Sequence, residues 1–201
     1  MGERQLYQPL TKEDRITVLL YRIGIGLSTL IITFAAYLSF GPSPFHYALS
    51  LNSVANILLI LLSLSVGCSV LFIHLYVSRF HRALKKLYYV SIAALLLLFI
   101  LGRGDAFGII IGEPYGPLLL IPLSGCLGFI TAKEAFCFRL TEGYLLALIM
   151  PLYLLALSMG GMTTKGASYG LLFIAAMLVF FTLRKVFMPI HYDIGDKSAY
   201  V

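Results

Sequence analysis

Hydrophobic positions in this chain come in long blocks, not at the three-to-four-residue period of a surface helix or the alternation of a strand. From Ile23 to Ser78 no Asp, Glu, Lys or Arg interrupts the sequence. A bilayer's hydrocarbon layer is about 30 Å thick and a helix rises about 1.5 Å per residue, so one crossing takes roughly 20 apolar residues and this run holds two. Pro42 and Pro44 mark the break between them. Charges and turn residues separate six apolar segments in all: Ile23–Phe40, Ala55–Tyr76, Leu87–Gly102, Tyr115–Ala132, Gly143–Met159 and Gly166–Leu183, none with an ionisable acid, Lys or Arg. The third is short, roughly 24 Å as a helix, but flanking Lys85, Lys86 and Arg103 can snorkel and the bilayer can thin locally. Continuous runs of Leu, Ile and Ala predict helices, because a barrel strand would alternate. The expected fold is therefore all-α, a polytopic bundle of six transmembrane helices over 23–183, with an N-terminal tail 1–22 and a C-terminal tail 184–201.

Composition agrees with the pattern: 60% of the 201 residues are hydrophobic and 12% charged, against roughly 25% charged in a soluble domain. The net charge of +6 matters through its placement. Arg4, Lys12, Arg15 and Arg22 precede the first segment; Arg79, Arg82, Lys85 and Lys86 fill the second connection, Lys133 and Arg139 the fourth, and Arg184, Lys185 and Lys197 the tail. Only Arg103 and Lys165 fall on the other side. An even number of crossings is needed for that alternation, and the positive-inside rule puts both termini in the cytoplasm, or in the stroma or cytosol for a thylakoid. The basic residues thus predict topology and not nucleic-acid binding. With no Trp, tyrosines supply the interfacial belt: Tyr21, Tyr76, Tyr88, Tyr89 and Tyr144 inside, Tyr37, Tyr47, Tyr115 and Tyr169 outside, with Tyr153 alone at mid-helix. The mixed-charge leader before a long first segment is unlike a cleavable signal peptide and predicts an uncleaved signal anchor. Cys68, Cys126 and Cys137 are odd in number and lack Cys-x-x-Cys spacing, which indicates buried thiols, not a disulfide framework or zinc site.

Four features are candidates for chemistry or packing. Glycines recur every fourth residue at Gly104, Gly108, Gly112 and Gly116, ending beyond Glu113-Pro114. Such spacing makes a smooth helix face for a short re-entrant or interfacial helix, or relieves strain in an outer loop. The connection Lys133-Glu134-Ala-Phe-Cys137-Phe-Arg139-Leu-Thr-Glu142 is dense in charge and aromatics. As a continuation of the fourth helix it would pair Arg139 with Glu142 and set Lys133 one turn from the Cys137 thiol; as an interfacial helix its charges neutralise one another. His74 is the one histidine near membrane depth, a single pigment or metal ligand or else a headgroup-level cap; His46 has no second ligand nearby. Asn52, Asn56, Ser63, Ser65 and Ser69 give the second segment a polar ridge, and Pro122 and Pro151 can break the fourth and fifth helices. The absence of charge from every predicted span argues against a proton pump or cation antiporter. No 3 + 3 internal repeat is visible, which weakens a transporter reading.

The run Gly116-Pro-Leu, Gly125, Gly128-Phe and Lys133-Glu-Ala-Phe-Cys-Phe resembles an uncharacterised integral-membrane family of cyanobacteria and related photosynthetic organisms. The resemblance covers most of the chain, carries no established activity, and implies a photosynthetic host with a cell inner membrane or thylakoid location. Function expectations rest on the residues. A non-enzymatic accessory or assembly factor of a larger membrane complex, photosynthetic or otherwise, fits the small size, uncharged spans and glycine-rich faces; its partners would be the lipid bilayer and other membrane proteins or further copies of itself. A small-solute transporter or channel would use Asn56 and the broken helices. A pigment-binding or thiol-dependent protein would use His74, Glu134 or Cys137. The cofactor is unknown on any of these readings.

Overall fold

The computed structural model describes residues 11–40, 48–75 and 77–194, all helical or connecting turns. Expectations about Pro42, Pro44, His46, Tyr47, Tyr76 and Lys197 fall outside those residues. The helices are α1 (Lys12–Leu38), α2 (Ala48–Phe72), α3 (Ser78–Leu101), α4 (Ala106–Gly112), α5 (Tyr115–Leu119), α6 (Ile121–Phe138), α7 (Thr141–Ser158), α8 (Thr164–Val186) and α9 (His191–Ile194). Six of them, α1, α2, α3, α6, α7 and α8, are long and apolar enough to cross a membrane. The all-helical, six-span architecture is the one expected.

Helix boundaries differ from the hydrophobic segments for one reason. Hydropathy marks the part of a helix that meets hydrocarbon, whereas backbone hydrogen bonding continues through charged turns whose side chains reach water. Thus α1 begins at Lys12, where Thr11 and Asp14 form a capping box, with Thr11 N donating to Asp14 Oδ2 at 2.9 Å. Likewise α3 begins at Ser78, so Arg79, Arg82, Lys85 and Lys86 ride on a helix of 24 residues, about 36 Å long, and not in a loop. The apparently short third span is thereby long enough.

The bundle is held by close backbone approaches and hydroxyl bonds. Gly24 of α1 lies against α2 so tightly that a Cβ would sit 2.7 Å from Ser65 O and 2.8 Å from Ser69 N. At that crossing Ser28 and Ser65 hydroxyls bond at 2.8 Å, Ser69 donates to Tyr21 O at 3.2 Å and the Cys68 thiol faces Leu20 O. On the other side of α1, Thr29 bonds Thr182 of α8 at 2.7 Å. Arg139 takes the left-handed conformation (φ 55°) that ends α6 and turns the chain into α7 within two residues. Gly143 then packs on the α6 backbone, where a Cβ would come within 2.3 Å of Thr131 O. Small side chains at these crossings replace the hydrophobic effect as the source of helix association in lipid.

The interior holds Tyr21, Ile25, Val66, Val70, Leu127, Ile130, Leu146, Leu178 and Phe181. Outward faces are equally apolar, with Leu30, Leu64, Leu96, Ile100 and Leu148 exposed. An aqueous surface of that kind would aggregate, whereas lipid solvates it.

Several sequence expectations are corrected here. Tyr21 and Tyr88 are not belt residues: both are buried, with Tyr88 donating to Ser63 O. Pro122 does not break a helix but lies in the first turn of α6, where its missing N–H needs no partner. The break falls just before it, at Leu120 between α5 and α6. Pro151 lies inside an α7 that runs on through it.

Candidate functional site

The two ends of the bundle differ in chemistry. At one end, the connection after α3 forms a short cap. Asp105 begins α4 by accepting from Gly108 N at 3.0 Å, and Pro114 confines Glu113 to extended backbone, which stops α4 and starts α5. The four spaced glycines do not share a face. Gly104 is needed for its φ of +97°, Gly108 lies over the Asp105 carboxylate, Gly112 has open space around it, and Gly116 approaches Ile109 O so closely that a Cβ would be 2.3 Å away. Exposed Glu113 sits between the last two. The polar ridge of α2 is fastened to this cap. Asn52 donates to Asp105 Oδ2 at 2.8 Å, and Asn56 accepts from Phe107 N at 2.9 Å while donating to Gly104 O and Asp105 Oδ1, each at 3.3 Å.

The opposite, basic end carries a buried charge network built from four helices. Glu134, near the C-terminus of α6, is fully buried. Its Oε1 accepts from Tyr21 Oη of α1 at 2.6 Å and Lys133 Nζ at 2.8 Å, and its Oε2 pairs with Lys185 Nζ of α8. Lys185, also fully buried, reaches on to Asp193 of α9, its ammonium 4.1 Å from the Phe138 ring centroid. Asp193 meets Arg22 of α1 through Nε at 2.7 Å and Nη2 at 2.5 Å. Arg22 further donates to the carbonyls of Val186, Met188 and Pro189, at 3.1, 2.7 and 3.2 Å. It thereby caps the C-terminus of α8, where a cation also meets the negative end of the helix dipole.

The predicted apolar segments themselves stay uncharged, and the network forms just beyond their ends, on helical turns that extend them. Arg22, Lys133, Glu134 and Lys185 all lie on helices long and apolar enough to cross a membrane. Burying such groups costs several kcal/mol per ion, which pairing largely repays but an apolar core would not incur. Of the predicted site residues, the fold joins Lys133 and Glu134 in this network. Arg139 is exposed at the end of α6, and because the helix stops at Phe138 it does not share a helix with Glu142. Glu142 instead takes Arg184 of α8 through both oxygens, at 2.8 and 2.9 Å. Cys137 is exposed on α6, and the ammonium one turn before it is committed to Glu134. Sequence reading assigned Tyr21, Arg22, Lys185 and Asp193 to a belt and two tails. The C-terminal tail holds two acidic residues, Asp193 and Asp196, and nothing in the sequence singles out the first.

His74 lies between α2 and α3. Its Nε2 faces Thr17 Oγ1 at 3.3 Å, and Nδ1 is buried without a hydrogen-bond partner. Burial, followed by the Lys133 charge, lowers its pKa from 6.5. Among the described residues no group of three or more His, Cys, Asp or Glu could hold a metal ion.

Six apolar helices closed by lipid-facing surfaces define a multi-pass integral membrane protein. The chain belongs to the family described as "Uncharacterized integral membrane protein (DUF2301)", which it matches over residues 68–201. That span includes Lys133, Glu134, Lys185 and Asp193, while Tyr21 and Arg22 precede it. No curated protein and no solved structure matches the chain.

Proposed function

We propose that the protein is a non-enzymatic accessory or assembly factor of a larger membrane complex, with both termini on the cytoplasmic or stromal side. One observation carries this reading: the polar side chains that a solute path would need are used to join helices. Asn52 and Asn56 clasp the cap, Ser65 and Ser69 bond α1, and Thr29 bonds Thr182. The charge network ties α1, α6, α8 and α9 at the basic end, and the asparagine clasp ties α2 to the cap at the other. A frame locked at both ends suits a scaffold better than the rocking of half-bundles in alternating access. The sequence resemblance to proteins of photosynthetic organisms makes a thylakoid or inner-membrane complex the first to examine. Crosslinking in native membranes, then purification in mild detergent, is expected to recover the protein with a larger assembly. Migration alone as a monomer under both conditions would sink the reading. Labelling cysteines placed in the Arg79–Lys86 turns and in the N-terminal tail is expected to mark the same side.

A small-solute transporter is the second reading, and the buried network favours it, since ionisable groups within a bundle often mark proton or ion paths. Its residue would be Glu134, not Asn56. Proton-coupled flux in proteoliposomes that disappears with Glu134→Gln and persists with Asn56→Ala would select it over the scaffold.

A further inference from the structure

Arg22 and Lys185 reach in from two spanning helices and end on one carboxylate, that of Asp193. That carboxylate belongs to α9, a four-residue helix on the segment that follows α8. Each cation has partners besides Asp193. Arg22 is anchored through Nη1 to Val186 O and Met188 O and through Nη2 to Pro189 O, which aims its Nε/Nη2 edge at Asp193. Lys185 is anchored by Glu134 and by the Phe138 ring. A guanidinium edge beside an ammonium, both held by other groups as well, is the geometry that receives a carboxylate or a phosphate.

The charge count points the same way. Among the described residues, Arg22, Lys133 and Lys185 supply three positive charges to the network and Glu134 and Asp193 two negative ones, one cation in excess. Exchanging the single charge of Asp193 for a phosphate monoester, which carries up to two near neutral pH, would bring the network to balance.

We infer that Arg22 and Lys185 form a receptor for a phosphate dianion, from a monoester lipid headgroup or from free inorganic phosphate, and that Asp193 is the chain's own occupant of that receptor. Ligand binding displaces α9, so the position of the C-terminal segment reports occupancy. Asp193→Asn keeps the shape of the occupant and removes its charge, leaving the receptor open to the ligand.

The full chain would be placed in nanodiscs of phosphatidylcholine, with or without phosphatidic acid, and separately titrated with inorganic phosphate. Hydrogen exchange over residues 190–194 and ligand binding are the two readouts. The wild type is expected to lose protection in that segment with one of the two probes, phosphatidic acid marking a lipid source and inorganic phosphate a soluble one. Asp193→Asn is expected to bind the same probe about tenfold more tightly, a factor equal to about 1.4 kcal/mol, and Arg22→Gln in that background to abolish the gain. If Asp193→Asn folds and binds neither probe better than wild type, the inference is overturned. Should that variant fail to fold, wild-type exchange decides alone, and unchanged protection with both probes overturns it.

Discussion

Replacing Glu134 by Gln tests whether the buried network is a charge balance or merely a set of hydrogen bonds. The substitution preserves shape and leaves Tyr21 an acceptor, but it removes the carboxylate that faces both Lys133 and Lys185. Each contact pair is worth about 4 kcal/mol at the effective dielectric constant that suits protein sites. Two pairs lost give about 8 kcal/mol, and relief from burying the carboxylate returns several kcal/mol. The net is about 4 kcal/mol of destabilisation, within the range of about 3–5 kcal/mol seen when one partner of a buried pair is removed. For a chain of this length that lowers Tm by roughly 8–16 °C. Lys133→Met changes the same pair in the opposite sense: it removes the surplus cation, and its cost is expected to stay within about 1 kcal/mol. Cys126 is fully buried, so a thiol-reactive fluorophore reports unfolding in detergent once exposed Cys137 and half-buried Cys68 are changed to Ser in every sample. Equal melting of Glu134→Gln and the parent would refute the charge-balance argument, as would Lys133→Met melting as low as Glu134→Gln.

Three further outcomes follow from the packing. Gly143→Ala puts a methyl against Thr131 O and is expected to lower Tm by several degrees through a cost of about 1–3 kcal/mol, whereas Gly112→Ala, with open space around it, is expected to leave Tm unchanged or raise it slightly. Asn56→Ala strips the cap of its hold on Phe107 N and is expected to cost about 1–3 kcal/mol, with faster hydrogen exchange over residues 102–112; unchanged exchange there would count against the clasp. His74 is neutral in the folded protein because its pKa is lowered by burial and by Lys133, while the unfolded chain takes up a proton as pH falls through 6.5. Its stabilising contribution is therefore complete above pH 6.5 and is lost below it, so melting scans are expected to fall with acidification less steeply for His74→Gln than for the parent.

The crossings were legible in the chain because their cause is local. Lipid solvates apolar side chains and leaves backbone amides no partner but one another, so a run of about 20 apolar residues is driven into a helix. No tertiary contact is needed for that result, and the six spans of the structure are the six read from hydropathy. Helix ends were less legible, as Lys12 and Ser78 show, because charge excludes a residue from hydrocarbon without excluding it from a helix. The candidate site divides on the same line. Lys133 and Glu134 stood out as neighbours at the end of an apolar segment, where their charge was already anomalous.

Their partners could not be read. Tyr21 meets Glu134 across 113 positions and Arg22 meets Asp193 across 171, and nothing in a Tyr, an Arg or an Asp near a helix end says which distant carboxylate or cation it will face. The same holds for the glycines: spacing suggested a shared face at 104–116, but a break at Glu113-Pro114 separated it, and the decisive contacts fell at Gly24 and Gly143. The sequence by itself determined that this chain enters the membrane, how often, and with its basic residues gathered at one end, since hydrophobic thickness and charge act on each segment alone. Only the tertiary structure decided which charges become buried and with whom, because that depends on the register and rotation of helices against one another, set by a few close backbone approaches.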